Sequence, residues 1–188
     1  LIASRVDVTG VPAAAAAQVR SVAAVPLGGP IMRVDTDEGA QRLVTGQAWS
    51  GVSGSRSLPD TIHIDVTPRV AVLAVRNPRG QVDVVDRDGF AFRTVATAPA
   101  GVPLVSAGSD QVTKAGVTAA LQALGSLEAA LRADVSGVSL SSADQVSFTV
   151  QSGERRKTVV WGGAGDGQRK AKLVKILLGE PGSTIDVS

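Results

Sequence analysis

The feature that most constrains this chain is a change of pattern at Pro68. Before it, Ile62, Ile64 and Val66 alternate with His63, Asp65 and Thr67. Successive side chains of a strand point to opposite faces, so a period of two predicts a half-buried strand. Pro68 lacks a backbone N–H and should interrupt that ladder. After it, Val70 to Val75 is a near-continuous apolar run, the pattern of a strand covered on both faces. Two unlike strands meeting at a proline predict a junction between two units.

Upstream, Val6 and Val8 alternate with Asp7 and Thr9, and Gly10 turns the chain. Pro12 suits the first turn of a helix, where its missing N–H costs nothing. Ala13 to Ala17 favours that helix, with Val19, Val22 and Ala23 as its apolar edge. Asp35 or Thr36 can cap a second helix with a stripe of Ala40, Leu43 and Val44, ended by Gly46. The Ser/Gly-rich run Gly51 to Ser57 predicts a loop or a weak edge strand. The order is strand, helix, helix, strand, strand.

Downstream, Asn77 to Gly80 and Asp86 to Gly89 read as turns around a strand at Val82 to Val85. Phe90, Phe92 and Thr94 predict the next strand, and Ala98 to Pro103 an extended connection. Asp110 can cap a helix bearing Val117, Ala120, Leu121 and Leu124, continued through Leu127 and Leu131 to about Ala133. Val138 and Leu140, then Val146, Phe148 and Val150, then Thr158 to Trp161 predict three strands. Asp166 to Leu178 reads as a basic helix stopped by Gly179 and Pro181, and Thr184 to Val187 as a last strand.

Composition narrows the chemistry. The chain has no cysteine, which removes disulfides, thiolate metal sites and cysteine nucleophiles. Its formal charge of +2 does not argue for nucleic acid. Arg outnumbers Lys 14 to 5 and Ala and Val are abundant, as in GC-rich genomes. No apolar run approaches the roughly 20 residues of a membrane helix. The start at Leu1 suggests processing or excision, so that any anchor has been removed.

Several groups invite a chemical role. Gly162 to Gly167 precedes a helix, as a phosphate loop would, but Gln168 and Arg169 stand where Lys and a hydroxyl are needed. A strand-to-helix turn is the plainer account. His63 is the sole histidine, so any Ser-His-Asp triad must use it, and no G-x-S-x-G elbow accompanies it. Asp83, Asp86 and Asp88 could hold calcium, but the pattern fits turns better than an EF-hand. Arg155, Arg156, Lys157, Arg169, Lys170, Lys172 and Lys175 form the densest basic region. It reads as a solvated face, or else as a patch for an acidic partner or lipid headgroups. No aromatics interleave with it, which argues against single-stranded nucleic acid.

The junction and its sequel resemble the FtsQ (DivIB) cell-division family. Its small POTRA domain ends in an Arg-x-aromatic-Pro-x-Thr-Leu strand, and Arg56, Pro59, Thr61 and Ile62 stand at those places, with Leu58 for the aromatic. Of the family's Glu-Arg-x-Pro-Val-Ala segment, Arg69 and Val72 remain. Val85-Asp86-Arg87-Asp88-Gly89-Phe90-Ala91-Phe92 is close to its Val-Asp-x-x-Gly-x-x-Phe, and Pro103-Leu104 resembles its Leu-Pro-x-Leu step. The Lys-bearing helix and Ile185-Asp186-Val187 resemble its closing helix and Ile-Asp-Leu strand.

The resemblance implies an α+β fold. A POTRA domain of order βααββ would cover residues 1–69, and a mixed β-sheet domain with flanking helices residues 70–188. It also implies a non-enzymatic divisome scaffold without cofactor or metal. The protein would be a single-pass protein of the cell membrane at the division septum, this region being extracytoplasmic and the membrane helix absent from it. The implied partners are FtsB/FtsL (DivIC)-like proteins, with other division proteins at the POTRA domain. In the family, partner binding involves the last strand of the β domain, so Thr184, Ile185, Asp186, Val187 and Ser188 are the candidate site. Two other classes are a POTRA-bearing secretion or assembly protein that binds exported polypeptides by strand addition, and an envelope Ser-Lys hydrolase using Lys114 or Lys157.

Overall fold

The computed structural model describes residues 1–44, 49–108 and 111–188. Two compact units emerge, Leu1–Arg69 and Val70–Ser188. Both are α+β, and each has its own buried core.

The first unit runs β1 (Arg5–Thr9), α1 (Ala13–Ala23), α2 (Thr36–Val44), β2 (Trp49–Ser57) and β3 (Thr61–Pro68). The sheet order is β1-β3-β2, with β1 parallel and β2 antiparallel to β3. The alternation that predicts β3 sends Ile62, Ile64 and Val66 into the core, where Val19, Ala23 and Leu43 meet two of them. Pro12 stands at the N-cap of α1. Asp35 caps α2, its carboxylate accepting from the amides of Asp37 and Glu38 at 3.0 and 3.1 Å. The stripe expected on α2 is shifted, since Gly39 and Leu43 are buried while Val44 is exposed. A helix of nine residues has room for little more than one buried edge. Gly46 lies outside the described residues. The Ser/Gly-rich run is the edge strand β2, not a loop.

The second unit runs β4 (Leu73–Arg76), β5 (Val82–Val85), β6 (Ala91–Val95), β7 (Leu104–Ser106), α3 (Lys114–Ser126), α4 (Ala129–Ala133), β8 (Val135–Leu140), β9 (Val146–Ser152), β10 (Arg155–Gly162), α5 (Gly167–Leu177) and β11 (Thr184–Asp186). Its strands form one mixed sheet of order β11-β10-β9-β8-β7-β4-β5-β6. Ala120, Ala123 and Leu124 of α3 and Val174 of α5 pack with Val138, Phe148, Val159 and Trp161. Ser139, Ser147, Thr149 and Thr158 alternate with these core strand residues and lie half-buried or exposed.

Three expectations need correction here. The apolar run at Val70 becomes a strand only at Leu73, and Val70 itself is exposed. Apolar composition favours burial, but a strand also needs a pairing neighbour. The connection after Ala98 leads to a strand that the local pattern did not suggest, β7, which sits between β4 and β8 and is parallel to both. Finally, the helix expected to reach Ala133 stops at Ser126. Leu127 is extended and buried, and α4 is separate. The cap of α3 is Thr113, whose hydroxyl accepts from the Gly116 amide at 2.9 Å. Asp110 lies outside the described residues.

Candidate functional site: the free edge strand

The last strand is built from a short alternation. Ile185 and Val187 enter the core, whereas Thr184, Asp186 and Ser188 are exposed. β11 lies parallel to β10, with Thr184, Ile185 and Asp186 opposite Thr158, Val159 and Val160. The Thr158 amide donates to the Ser183 carbonyl at 2.8 Å, and the Val187 amide donates to the Val160 carbonyl at 3.0 Å. In a parallel ladder, alternate residues of a strand bond to the same neighbour. Ser183, Ile185 and Val187 therefore face β10. The amides and carbonyls of Thr184 and Asp186 face outward, where the sheet ends.

β6 ends the sheet on its other side. It carries Arg93, and its pairing with β5 is shifted between Val84 and Val85. Charge and bulges are the usual means of blunting an edge. β11 has no bulge in its pairing with β10, and its one charged side chain is Asp186. Beyond it, the Asp186 carboxylate accepts from the Ser188 hydroxyl at 2.7 Å and the Ser188 amide at 3.0 Å. The hydroxyl first, and then the amide, hold that carboxyl below its ordinary range.

A buried lysine fastens the turn that leads into β11. Lys157 of β10 donates to the carbonyls of Leu177 and Leu178 at 3.4 and 3.0 Å, and to that of Glu180. An ammonium suits the negative end of a helix, where the last carbonyls lack intrahelical donors. It thus ties β10 to the turn that leads from α5 into β11. With its donors so committed, Lys157 is a poor candidate for the base of a Ser-Lys pair. Lys157→Ala should cost the unit about 2–3 kcal/mol, because it strands several carbonyls at once. Chemical denaturation monitored at Trp161 would measure this, and an unchanged midpoint would refute the role. The clue in the sequence was that Lys157 shares the inward phase of Val159 and Trp161.

The basic region does not form a single patch. Lys157 and Lys170 are buried. Lys175 pairs with Glu128 at 3.0 Å. Arg155, Arg156, Arg169 and Lys172 remain exposed.

The other chemical candidates have structural roles. In the Gly-rich turn, the Lys170 ammonium donates to the Gly163 carbonyl at 2.9 Å and lies 5.6 Å from the Trp161 ring centre. The lysine of a phosphate loop would reach a ligand, whereas this one closes its own turn. His63 is in register with Ser55 on one side and Asp7 on the other, and its Nδ1 is 4.0 Å from the Asp7 carboxylate. The three sit on neighbouring strands of a polar sheet face, and no hydrogen bond joins Ser55 to His63 among the described residues. Asp83 accepts from Asn77 and Thr94, and Asp86 from the amides of Asp88 and Phe90. These carboxylates serve the two turns, and Gly89 has the positive φ of +83° that its turn requires. Among the described residues, no group of three His, Cys, Asp or Glu could hold a metal, and no helix is long and apolar enough to cross a membrane.

No family model matches the chain. Curated relatives do. A cell division protein FtsQ of Streptomyces bingchenggensis is 35% identical over 182 residues, covering 93% of this chain and 67% of the relative. Cell division protein FtsQ of Mycolicibacterium smegmatis is 32% identical, covering 99% of this chain and 54% of the relative. That of Streptomyces griseus is 34% identical, covering 93% and 86%. The chain thus spans between about half and most of the length of these relatives.

Proposed function

The chain belongs to the FtsQ family of cell-division proteins, and from that membership we propose that it is a non-enzymatic divisome scaffold that binds its partners by strand addition at β11. In this reading Leu1–Arg69 is the POTRA domain and Val70–Ser188 the β domain. The whole protein is held in the cell membrane by a single helix outside this region and acts at the septum, with both domains extracytoplasmic. FtsB/FtsL (DivIC)-like proteins are the partners of the β domain, and other division proteins bind the POTRA domain.

The observation that carries the reading is the outward main chain of Thr184 and Asp186 on an open edge. Such an edge offers unmade hydrogen bonds to an incoming strand. Deleting residues 184–188 would be an ambiguous test, because it also removes Ile185 and Val187 from the core. Thr184→Pro is cleaner. It removes an N–H that faces away from β10, so the β10–β11 ladder survives and stability changes by less than about 1 kcal/mol. Pull-down of an FtsB-like extracytoplasmic fragment should weaken at least about 10-fold. Undiminished capture by a folded Thr184→Pro chain would sink strand addition. A fluorescent fusion of the full protein should gather at midcell, and a uniform envelope signal in dividing cells would count against the septal role.

A further inference from the structure

One end of the Leu1–Arg69 unit gathers three segments. Residues 1–3 run antiparallel to residues 28–31, with a bridge between Ile2 and Pro30. The Gly28 amide donates to the Ala3 carbonyl at 2.8 Å, the Ala3 amide to the Gly29 carbonyl at 2.9 Å, and the Ile31 amide to the Leu1 carbonyl at 3.2 Å. The Ser4 amide donates to the Asp60 carbonyl at 2.9 Å, which brings the turn between β2 and β3 alongside. Ser57 at the end of β2 and Arg5 at the start of β1 both stand opposite Thr61, so the three segments share one end of the sheet.

The apolar side chains at this end fall into two layers. Ala3, Ile31, Val34 and Ile62 form a small buried cluster. Leu1, Ile2, Leu27, Met32 and Leu58 are exposed, Met32 by 69% and Leu58 by 62%. They are half of the large exposed hydrophobic side chains among the described residues, in a unit that is little more than a third of the chain. Single exposed hydrophobics are ordinary, whereas a cluster of them marks a contact surface.

Charge and main chain narrow what covers this tip. Arg5 and Arg33 are exposed beside the apolar side chains. The acids here are tied to the fold, Asp35 as the cap of α2 and Asp60 as the acceptor of the Thr61 hydroxyl at 3.1 Å. Amides and carbonyls already paired across residues 1–3 and 28–31 can enter the boundary of a bilayer without losing hydrogen bonds.

We infer that this tip is a lipid-contact surface. Leu27, Met32 and Leu58 sink into the interface of the membrane that anchors the protein, and Arg5 and Arg33 lie at the level of anionic headgroups. The inference rests on the membrane-anchored reading of the whole protein, in which the anchoring helix joins the chain ahead of Leu1. The tether then leaves from the tip itself. A few apolar side chains bind a bilayer only weakly on their own, but a short tether gives them a high effective concentration at its surface. Two attachments, the helix and the tip, hold the Leu1–Arg69 unit at one tilt on the membrane.

The test uses the full protein in vesicles of phosphatidylglycerol and phosphatidylcholine. Residues 1–188 contain no cysteine, so Met32→Cys carries the only dye in this region, and any cysteine elsewhere is changed to serine. Val44→Cys is the control, an exposed valine next to Leu43, which belongs to the other buried cluster of the unit. A doxyl lipid that quenches near the headgroups should quench the Met32 dye at least about 5-fold more than the Val44 dye. Leu27→Glu with Leu58→Glu should bring the Met32 dye down to the control, and tryptophan emission should not change, because both side chains are exposed. Arg5→Glu with Arg33→Glu should reduce quenching in the mixed vesicles and leave it unchanged in pure phosphatidylcholine. Equally weak quenching at Met32 and Val44 overturns the lipid contact and leaves the anchored reading standing. Failure of the full protein to float with the vesicles overturns the anchored reading and the contact with it. Shielding of the Met32 dye that grows with protein density and ignores the doxyl lipid would assign the tip to a second copy of the chain and overturn the proposal.

Discussion

Trp161→Ala should lower the stability of the Val70–Ser188 unit by about 3–5 kcal/mol, the range for removing a buried aromatic. Trp161 is only 2% exposed. Its ring centre is 5.8 Å from that of Phe148, inclined at 46°, and the Lys170 ammonium lies against it. Alanine would leave a cavity at the middle of the core and remove the ring from a buried cation. The loss should be confined to one unit, because the buried clusters of Leu1–Arg69 are made of other residues. The measurement is convenient, since the chain has two tryptophans and the variant leaves only Trp49, in β2 of the first unit. Calorimetry should show one transition moved far down, while Trp49 emission reports an unmoved midpoint. A single transition that shifts as a whole would refute the independence of the units.

Gly10→Ala should have the reverse effect. Gly10 has a φ of +90°, and a Cβ placed on it would lie 1.8 Å from the Val66 carbonyl oxygen. No rotamer relieves such a clash, because both atoms belong to, or are fixed by, the main chain. The turn between β1 and α1 must move away from the end of β3, and the positive φ adds its own strain. The combined cost is at least about 3 kcal/mol. A core of this size supplies only about 3–5 kcal/mol, so the first unit should be left with at most about 2 kcal/mol and its melting midpoint should fall steeply. Trp49 emission should shift to the red while binding at β11 persists. Unchanged melting of the variant would contradict the close approach of Gly10 to Val66.

Much of the architecture was legible because it is written in local periodicity. Ile62, Ile64 and Val66 are two residues apart and buried together. Pro12 and Asp35 start helices by local chemistry. The end of β3 at Pro68 follows from a missing N–H. β7 had no comparable mark, because three residues hold too little alternation and its strand character comes from partners at residues 74–75 and 137–139. Val70 and Ala71 show the opposite failure, an apolar run that gains a strand partner only from Val72 on, whose amide donates to the Val85 carbonyl at 2.9 Å.

The candidate site divides in the same way. The alternation of Ile185 and Val187 with Thr184, Asp186 and Ser188 was visible in the chain, and so was the density of lysines and arginines. That Lys157 and Lys170 turn inward while Arg155 and Arg156 stay out was decided by carbonyls far along the chain, at Leu177, Leu178 and Glu180 for the first. By itself, the sequence determined where strands and helices start, which of their faces are apolar, and that the pattern changes at Pro68, since these depend on side chains a few residues apart. Tertiary structure alone decided that β11 lies at the edge of its sheet. Backbone amides are the same in every strand, and only the pairing of distant segments chooses which of them are left without a neighbour.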